Sequence, residues 1–233
     1  LVLFSFQDGG LPVPPFNGPS LKWYGDVLSD RNVTSALFNS LLVALGSSAI
    51  AVMLGFFAAY GLARYVLPGS VFIRALLIAP LTVSYLIVGL GLLIVLTRTG
   101  VGLSLITAGI GHVIINLPLA FAIIYASMNA QHENAERAAR DLGATETWVL
   151  LLVTAPMLSP AIAAAFFLSV TLSWDEFIIA FLLTRFDITL PIEIWSMLRS
   201  GLSPRLNAIG SFVFLISVAA LLFLEFTVLR RRK

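Results

Sequence analysis

The chain alternates long uncharged apolar runs with short polar breaks, and the runs have membrane-spanning length. A hydrocarbon core of ~30 Å is crossed by about 20 apolar residues at helical rise. Five stretches meet that length: residues 36–60, 75–97, 104–128, 157–183 and 206–227. Pro80 and Pro118 fall inside runs, where lipid-buried helices tolerate proline as a kink. The opening LVLFSF is apolar from Leu1 and lacks a charged leader, so it reads as the end of a further span. The pattern predicts an all-α, polytopic transmembrane helical bundle: five complete spans plus the end of a truncated first span. No internal repeat or low-complexity linker divides it, so residues 1–233 read as one domain.

Two polar stretches interrupt this pattern in a specific way. Residues 131–146, QHENAERAARDLGATE, lie between an upstream run charged at most at His112 and a downstream run uncharged to Trp174. Most connections between elements need only a few residues. This one carries helix-forming Ala, Glu and Arg, followed by Leu142-Gly143, where glycine ends helices in the left-handed conformation. It predicts a short docking helix, a turn and a return to lipid. A merely solvated loop helix would instead be held by ion pairs such as Glu136 to Arg140 at helical spacing. The second stretch, 186–204, carries Pro191, Trp195 and Pro204, and predicts a re-entrant or interfacial helix bounded by prolines. Residues 7–35 are Pro- and Gly-rich, with Lys22-Trp23-Tyr24 suited to a membrane interface.

Orientation follows from basic residues near span ends. Arg230-Arg231-Arg232-Lys233 places the C-terminus in the cytoplasm, with anionic-lipid contact available to it. Counting back puts Arg64, Arg74, Arg137 and Arg140 on the same side, and Lys22, Arg31, Arg98, Arg185, Arg199 and Arg205 outside. Residues 131–146 are therefore expected to be cytoplasmic.

Composition agrees and excludes alternatives. The chain is 59% hydrophobic and 11% charged, against roughly 25% charged in soluble domains. Membrane lipid is its solvent. A net charge of +2 gives no argument for nucleic acid, and the absence of cysteine excludes disulfide scaffolds and thiolate metal sites. Two histidines far apart assemble no metal cluster. The phosphate-binding G-x-x-x-x-G-K-[ST] is missing, as are G-x-S-x-G, H-E-x-x-H and dinucleotide fingerprints. No catalytic residue, metal or cofactor is expected on this chain.

The polar island resembles the shared cytoplasmic motif of permease subunits of binding-protein-dependent ABC importers: Glu-Ala-Ala, three residues, Gly, nine residues, Ile, one residue, Leu-Pro. Here Arg137-Ala138-Ala139, Gly143, Val153 and Ala155-Pro156 stand at those spacings. Arg137 occupies the Glu position and Glu136 is displaced by one. LSWDEF from Leu172, LPI from Leu190, IWSMLR from Ile194, SPRLNA from Ser203 and YGLARY from Tyr60 resemble the spermidine/putrescine permease branch. The likeness spans about residues 20–229.

The resemblance implies a type I importer permease in the bacterial inner membrane. Its partners would be a second permease, two ATP-binding subunits holding ATP and Mg, and a periplasmic or lipid-anchored substrate-binding protein. It also implies a coupling segment, 131–156, with Glu136, Arg137, Ala138, Ala139, Asp141, Gly143 and Pro156 as its residues. Polyamines are the implied cargo. Other small solutes (opines, aminophosphonates, iron) are alternatives, and a proton-driven secondary transporter is a more distant one.

Asp175 and Glu176 are the second candidate site. Acids within a span cost ~2.5–3.5 kcal/mol each at its centre and mark functional positions. With Trp174 as a cation–π face and Tyr85 after Pro80, they could line a substrate path. Asp175 lies about 27 Å along a straight helix from Met157, near the outer end. An interfacial carboxylate pair is the other reading, capping a broken helix or pairing with Arg185 or Arg199. His112 and Asn116 share a helix face and are expected to brace the Pro118 kink; a proton relay is the alternative. Thr82, Ser84 and Tyr85 could equally be helix-packing residues.

Overall fold

The structure is a computed structural model that describes residues 2–10, 16, 18–201 and 203–224, with side chains described as far as Val218. Leu1, the end of the 206–227 run and the Arg230–Lys233 cluster lie outside the described residues.

The helices in order are α1 (Val2–Ser5), α2 (Lys22–Ser29), α3 (Arg31–Arg64), α4 (Ser70–Ile78), α5 (Tyr85–Arg98), α6 (Leu105–Ser127), α7 (Ala130–Asp141), α8 (Glu146–Trp148), α9 (Ala155–Met157), α10 (Ser159–Trp174), α11 (Ile178–Leu183), α12 (Leu190–Ser200) and α13 (Pro204–Leu224). A 3₁₀ turn, Ala79–Thr82, follows α4, and a π-helical stretch, Val149–Thr154, joins α8 to α9.

Each predicted span has a counterpart, and among the described residues two are single helices long and apolar enough to cross the membrane. The first, α3, has 34 residues, about 51 Å at helical rise, so it projects beyond the hydrocarbon core. The second, α6, runs 23 residues straight through Pro118. Two more are bent pairs: α4 with its 3₁₀ turn meets α5 at 107°, and the 146–157 stretch meets α10 at 71°. The last predicted span is α13, a shorter apolar helix by its described residues.

Proline and capping explain the breaks. Pro80 sits in the 3₁₀ turn, where it lacks an N–H to continue the ladder. Ser84 then starts α5 by accepting from the Leu86 N–H at 3.3 Å. The residues predicted as one 157–183 span are divided again, because α10 stops at Trp174 and α11 starts only at Ile178.

The core is built from small residues that let α3 and α6 approach closely. Ala36, Ser40, Ala44, Ser47, Ser48, Ala51, Gly55 and Ala59 form the buried stripe of α3. A Cβ on Gly55 would lie 2.9 Å from the backbone nitrogen of Phe121. Close backbone approach through small residues is how helices associate when lipid removes the hydrophobic drive between them. Val52, Phe56, Phe121, Ile124 and Leu158 fill one cluster there. A second joins α5, α6 and α11 through Ala108, Ile115, Ile179 and Leu183. A third, around Val33, Leu190 and Ile209, closes the end that carries α2 and α12.

Half or less of the apolar windows of α3 and α6 is buried, 44% and 50%. Phe38, Ile50, Met53, Phe57, Ile87 and Ile106 point outward, a surface that water would not tolerate in a monomer.

Replacing Gly55 with Leu should lower the melting temperature of the detergent-solubilised protein, since overpacking costs about 1–3 kcal/mol. Gly46→Leu, on the same helix with nothing within 4 Å of its Cβ, should leave it unchanged. Equal melting of the two variants would contradict the close approach.

Candidate functional site: a docking elbow and a broken span

The polar island folds as a rigid elbow. The Asn129 side chain accepts from the His132 N–H at 3.1 Å and starts α7. At its far end Gly143 adopts φ +90°. Its N–H bonds to the Arg140 carbonyl at 2.8 Å, and the Ala144 N–H to the Ala139 carbonyl at 3.0 Å. This pair of bonds is the Schellman closure, in which a left-handed residue turns the chain back and satisfies the last carbonyls.

What fixes the elbow to the bundle is Glu136, which is fully buried. Arg64, in the last turn of α3, donates to it through Nε at 2.6 Å and Nη2 at 3.1 Å, and Thr154 Oγ1 donates at 3.0 Å. One carboxylate therefore ties α7 to α3 and to the end of the π-helical stretch. A bidentate guanidinium with a third donor is the arrangement in which a buried charge can be retained.

The Glu136–Arg140 pair of the solvated-loop reading does not form. Arg140 instead reaches Glu146 at 2.7 Å and the Tyr60 hydroxyl at 3.2 Å. The Arg140 hydrogen bond holds the Glu146 carboxyl below its usual range, and the arginine is held charged beyond its own. Arg137, at the motif's Glu position, is 67% exposed and pairs with Glu133 one turn back. So Glu136 faces inward and Arg137 outward. Ala138, Asp141, Leu142 and Gly143 form the open tip, with Leu142 89% exposed, while Ala139 is half-buried and Pro156 sits exposed in α9.

The second site is the interruption between α10 and α11. A helix start leaves its first N–H groups without partners, and lipid offers none. Glu176 supplies them. Its Oε1 accepts from Ile178 at 2.8 Å and Ile179 at 3.0 Å, and its Oε2 from Ile179 at 2.9 Å and Ala180 at 3.2 Å. Of the readings open for this pair, Glu176 takes the helix cap. No ion pair links either acid to Arg185 or Arg199 among the described residues; those stack on Phe186 and Trp195.

Asp175 is exposed and, with Trp174, borders two cavities of about 270 and 590 Å³. Phe177 and Trp195 line the smaller one, 5.9 Å apart between ring centroids. Tyr85 packs instead against the α5–α6–α11 cluster and borders neither cavity.

His112 does not brace the proline. Its Nδ1 lies 2.5 Å from Ser173 Oγ, and Ser173 lies 3.2 Å from Ser47 Oγ on α3. Ser173, two residues before Asp175, thus reaches the eighth residue of α6. Sequence reasoning missed two partners: Arg64, counted only as a topology charge, and Ser173, one of many serines in apolar runs. Among the described residues no three His, Asp or Glu side chains could hold a metal ion.

A bundle of broken and unbroken apolar helices, with one polar appendage tied to it by a buried ion pair, defines a polytopic membrane subunit. The chain belongs to the family described as binding-protein-dependent transport system inner membrane component, which matches residues 51–233. It is 28% identical over 220 residues to the spermidine/putrescine transport system permease protein PotC of Escherichia coli (strain K12), covering 94% of this chain and 83% of that protein. It is 32% identical over 221 residues to the putrescine transport system permease protein PotI of the same organism, covering 91% and 78%. Its fold matches a chain of a bacterial ABC transporter involved in import of the acidic polysaccharide alginate, with TM-score 0.77, 15% identity and coverage of 100% and 88%.

Glu136→Leu should destabilise the protein by about 3–5 kcal/mol, since it leaves Arg64 buried without its partner. Arg64→Met combined with Glu136→Leu should recover part of that loss. Thermal melting of the purified protein reads both, and a single variant that melts like the parent would refute the anchor.

Proposed function

We propose that this chain is the permease subunit of an ATP-driven importer for polyamines such as spermidine and putrescine. The observation that carries the reading is the elbow: an exposed tip, closed by a glycine turn and bolted to α3 through Glu136. A short helix that cannot rotate on its base passes a push into the spans. Its partners are two ATP-binding subunits that hold ATP and Mg, a second permease, and a substrate-binding protein that delivers the cargo. Closure of the ATP-binding subunits moves the Ala138–Gly143 tip, the spans rock, and cargo passes from outside to inside. The chain itself performs no catalysis.

Geometry supports the expected orientation. Arg64 and α7 meet at one end of the bundle, whereas Asp30, at the start of α3, pairs with Arg205, at the start of α13. Both α3 and α13 thus begin at the end away from the elbow, which fits a cytoplasmic elbow and C-terminus. Hydrogen bonds from Arg205 and the Asn32 N–H hold the Asp30 carboxyl below its usual range, so that pairing persists at neutral pH and is lost only on acidification.

The polyamine assignment rests on the named relatives and on Asp175. An exposed carboxylate beside Trp174, with Phe177 and Trp195 across the cavity, offers an ammonium group charge neutralisation and an aromatic face.

Ala138→Trp and Gly143→Val should each reduce cargo uptake and stimulated ATPase by about tenfold or more in the assembled complex; the valine must also adopt a left-handed conformation costing ~1–2 kcal/mol. Normal rates in both would remove the coupling role. A single cysteine placed at Ala138, in a chain with none of its own, should resist impermeant thiol reagents in intact cells. Asp175→Asn should lower putrescine uptake by about tenfold, a drop of ~1.4 kcal/mol in transition-state stabilisation; unchanged uptake would detach Asp175 from the cargo.

A further inference from the structure

The geometry points to His112 as a positioning residue that holds the break between α10 and α11, and through it sets Asp175 for the cargo's ammonium group. The inference rests on the ammonium role of Asp175 given above. His112 is buried and touches both sides of the break. Nδ1 bonds Ser173 at 2.5 Å, two residues before Asp175, and Nε2 faces Glu176 Oε2 at 3.5 Å, one residue after it.

The chemistry of these groups gives the chain of contacts one direction. Both oxygens of Glu176 already accept backbone N–H groups, so the ionised carboxylate can only accept from the ring. The neutral imidazole then carries its proton on Nε2, which leaves Nδ1 as an acceptor. Ser173 must donate to Nδ1, and its oxygen is left to accept from Ser47 at 3.2 Å. The contacts run Ser47 to Ser173 to His112 to Glu176, from α3 through α10 and α6 to the start of α11; the last is a 3.5 Å approach rather than a closed hydrogen bond. No other titratable side chain enters this run.

The interrupted turn needs such a fixture. Glu176 caps α11 but by itself leaves the end of α10 free to swing, and Asp175 lies between the two. An imidazole is a rigid spacer, so it fixes the separation of Ser173 and Glu176 and hence where the Asp175 carboxylate stands at the cavity rim. His112 does not border either cavity, so it acts on cargo only through Asp175.

A double-mutant cycle separates this from a general structural role, because residues that act through one another are not additive. His112→Phe, Asp175→Asn and the double variant are reconstituted with their partner subunits, and initial putrescine uptake is normalised to assembled complex. His112→Phe should lower uptake about 5- to 20-fold, and the double variant should fall within about twofold of Asp175→Asn alone. Multiplied losses of about 100-fold, or wild-type uptake in His112→Phe while Asp175→Asn is impaired, overturn the inference and leave the cargo reading intact. Wild-type uptake in Asp175→Asn overturns the cargo reading, and this one with it. Should His112→Phe fail to assemble, Ser173→Ala cuts the same chain without a change of bulk and must show the same non-additivity.

Discussion

A helix end must find partners for the backbone groups it leaves open, inside lipid from the protein alone, and this constraint shapes both working parts of the molecule. Where α10 ends, the Glu176 carboxylate takes three N–H groups that would otherwise be left without partners. Where α6 gives way to α7, Asn129 and the Gly143 turn close the elbow's two ends. Without those substitutes the apolar runs would continue as plain spans. There would be neither an open carboxylate within the bundle nor a rigid appendage beneath it.

The two sites spend buried charge differently. Glu136 is paired bidentately with Arg64, so its charge is neutralised at the point of attachment and the elbow gains stiffness. Glu176 is held mainly by backbone dipoles, with His112 behind it. Removing either partner of a buried pair leaves a desolvated charge, a cost larger than the pair's own net contribution. At Glu136 that asymmetry, and at Glu176 the loss of acceptors for three N–H groups, makes single change costly, although neither residue borders the cavities or the elbow tip.

Much of this was legible in the sequence because lipid makes hydropathy dominate. The five runs, the helix-turn at 131–146 and the proline-bounded helix of 186–204 all appear, since each depends on residues close together in the chain. The break after α10 was legible only as one of two readings of Asp175 and Glu176. Residues 157–183 read as one span because Glu176, placed by its neighbours as a possible gate, spends both oxygens on its own following turn. Nothing local distinguishes that use from a substrate contact. Likewise Glu136 at helical spacing from Arg140 suggests a surface pair, and only the arrival of Arg64 from 72 positions away turns it inward. Periodicity along one helix carries the faces of that helix, not the identity of what packs on them.

The displaced glutamate shows why that distinction matters for mechanism. Spacing to Gly143 puts Arg137 where the motif has an acid, which on its face reverses a charge at the point of contact with a partner. In the fold, Arg137 is exposed and paired to Glu133, while Glu136, one residue earlier and about 100° around the helix, is the inward bolt. The anchoring of the elbow therefore does not depend on the motif's acidic position. The outer face is left to Arg137 paired with Glu133, to Asp141 and to the exposed Leu142. On the proposed coupling, an ATP-binding subunit would meet this mixed-charge face with its exposed leucine, the face of α7 that the bundle does not use.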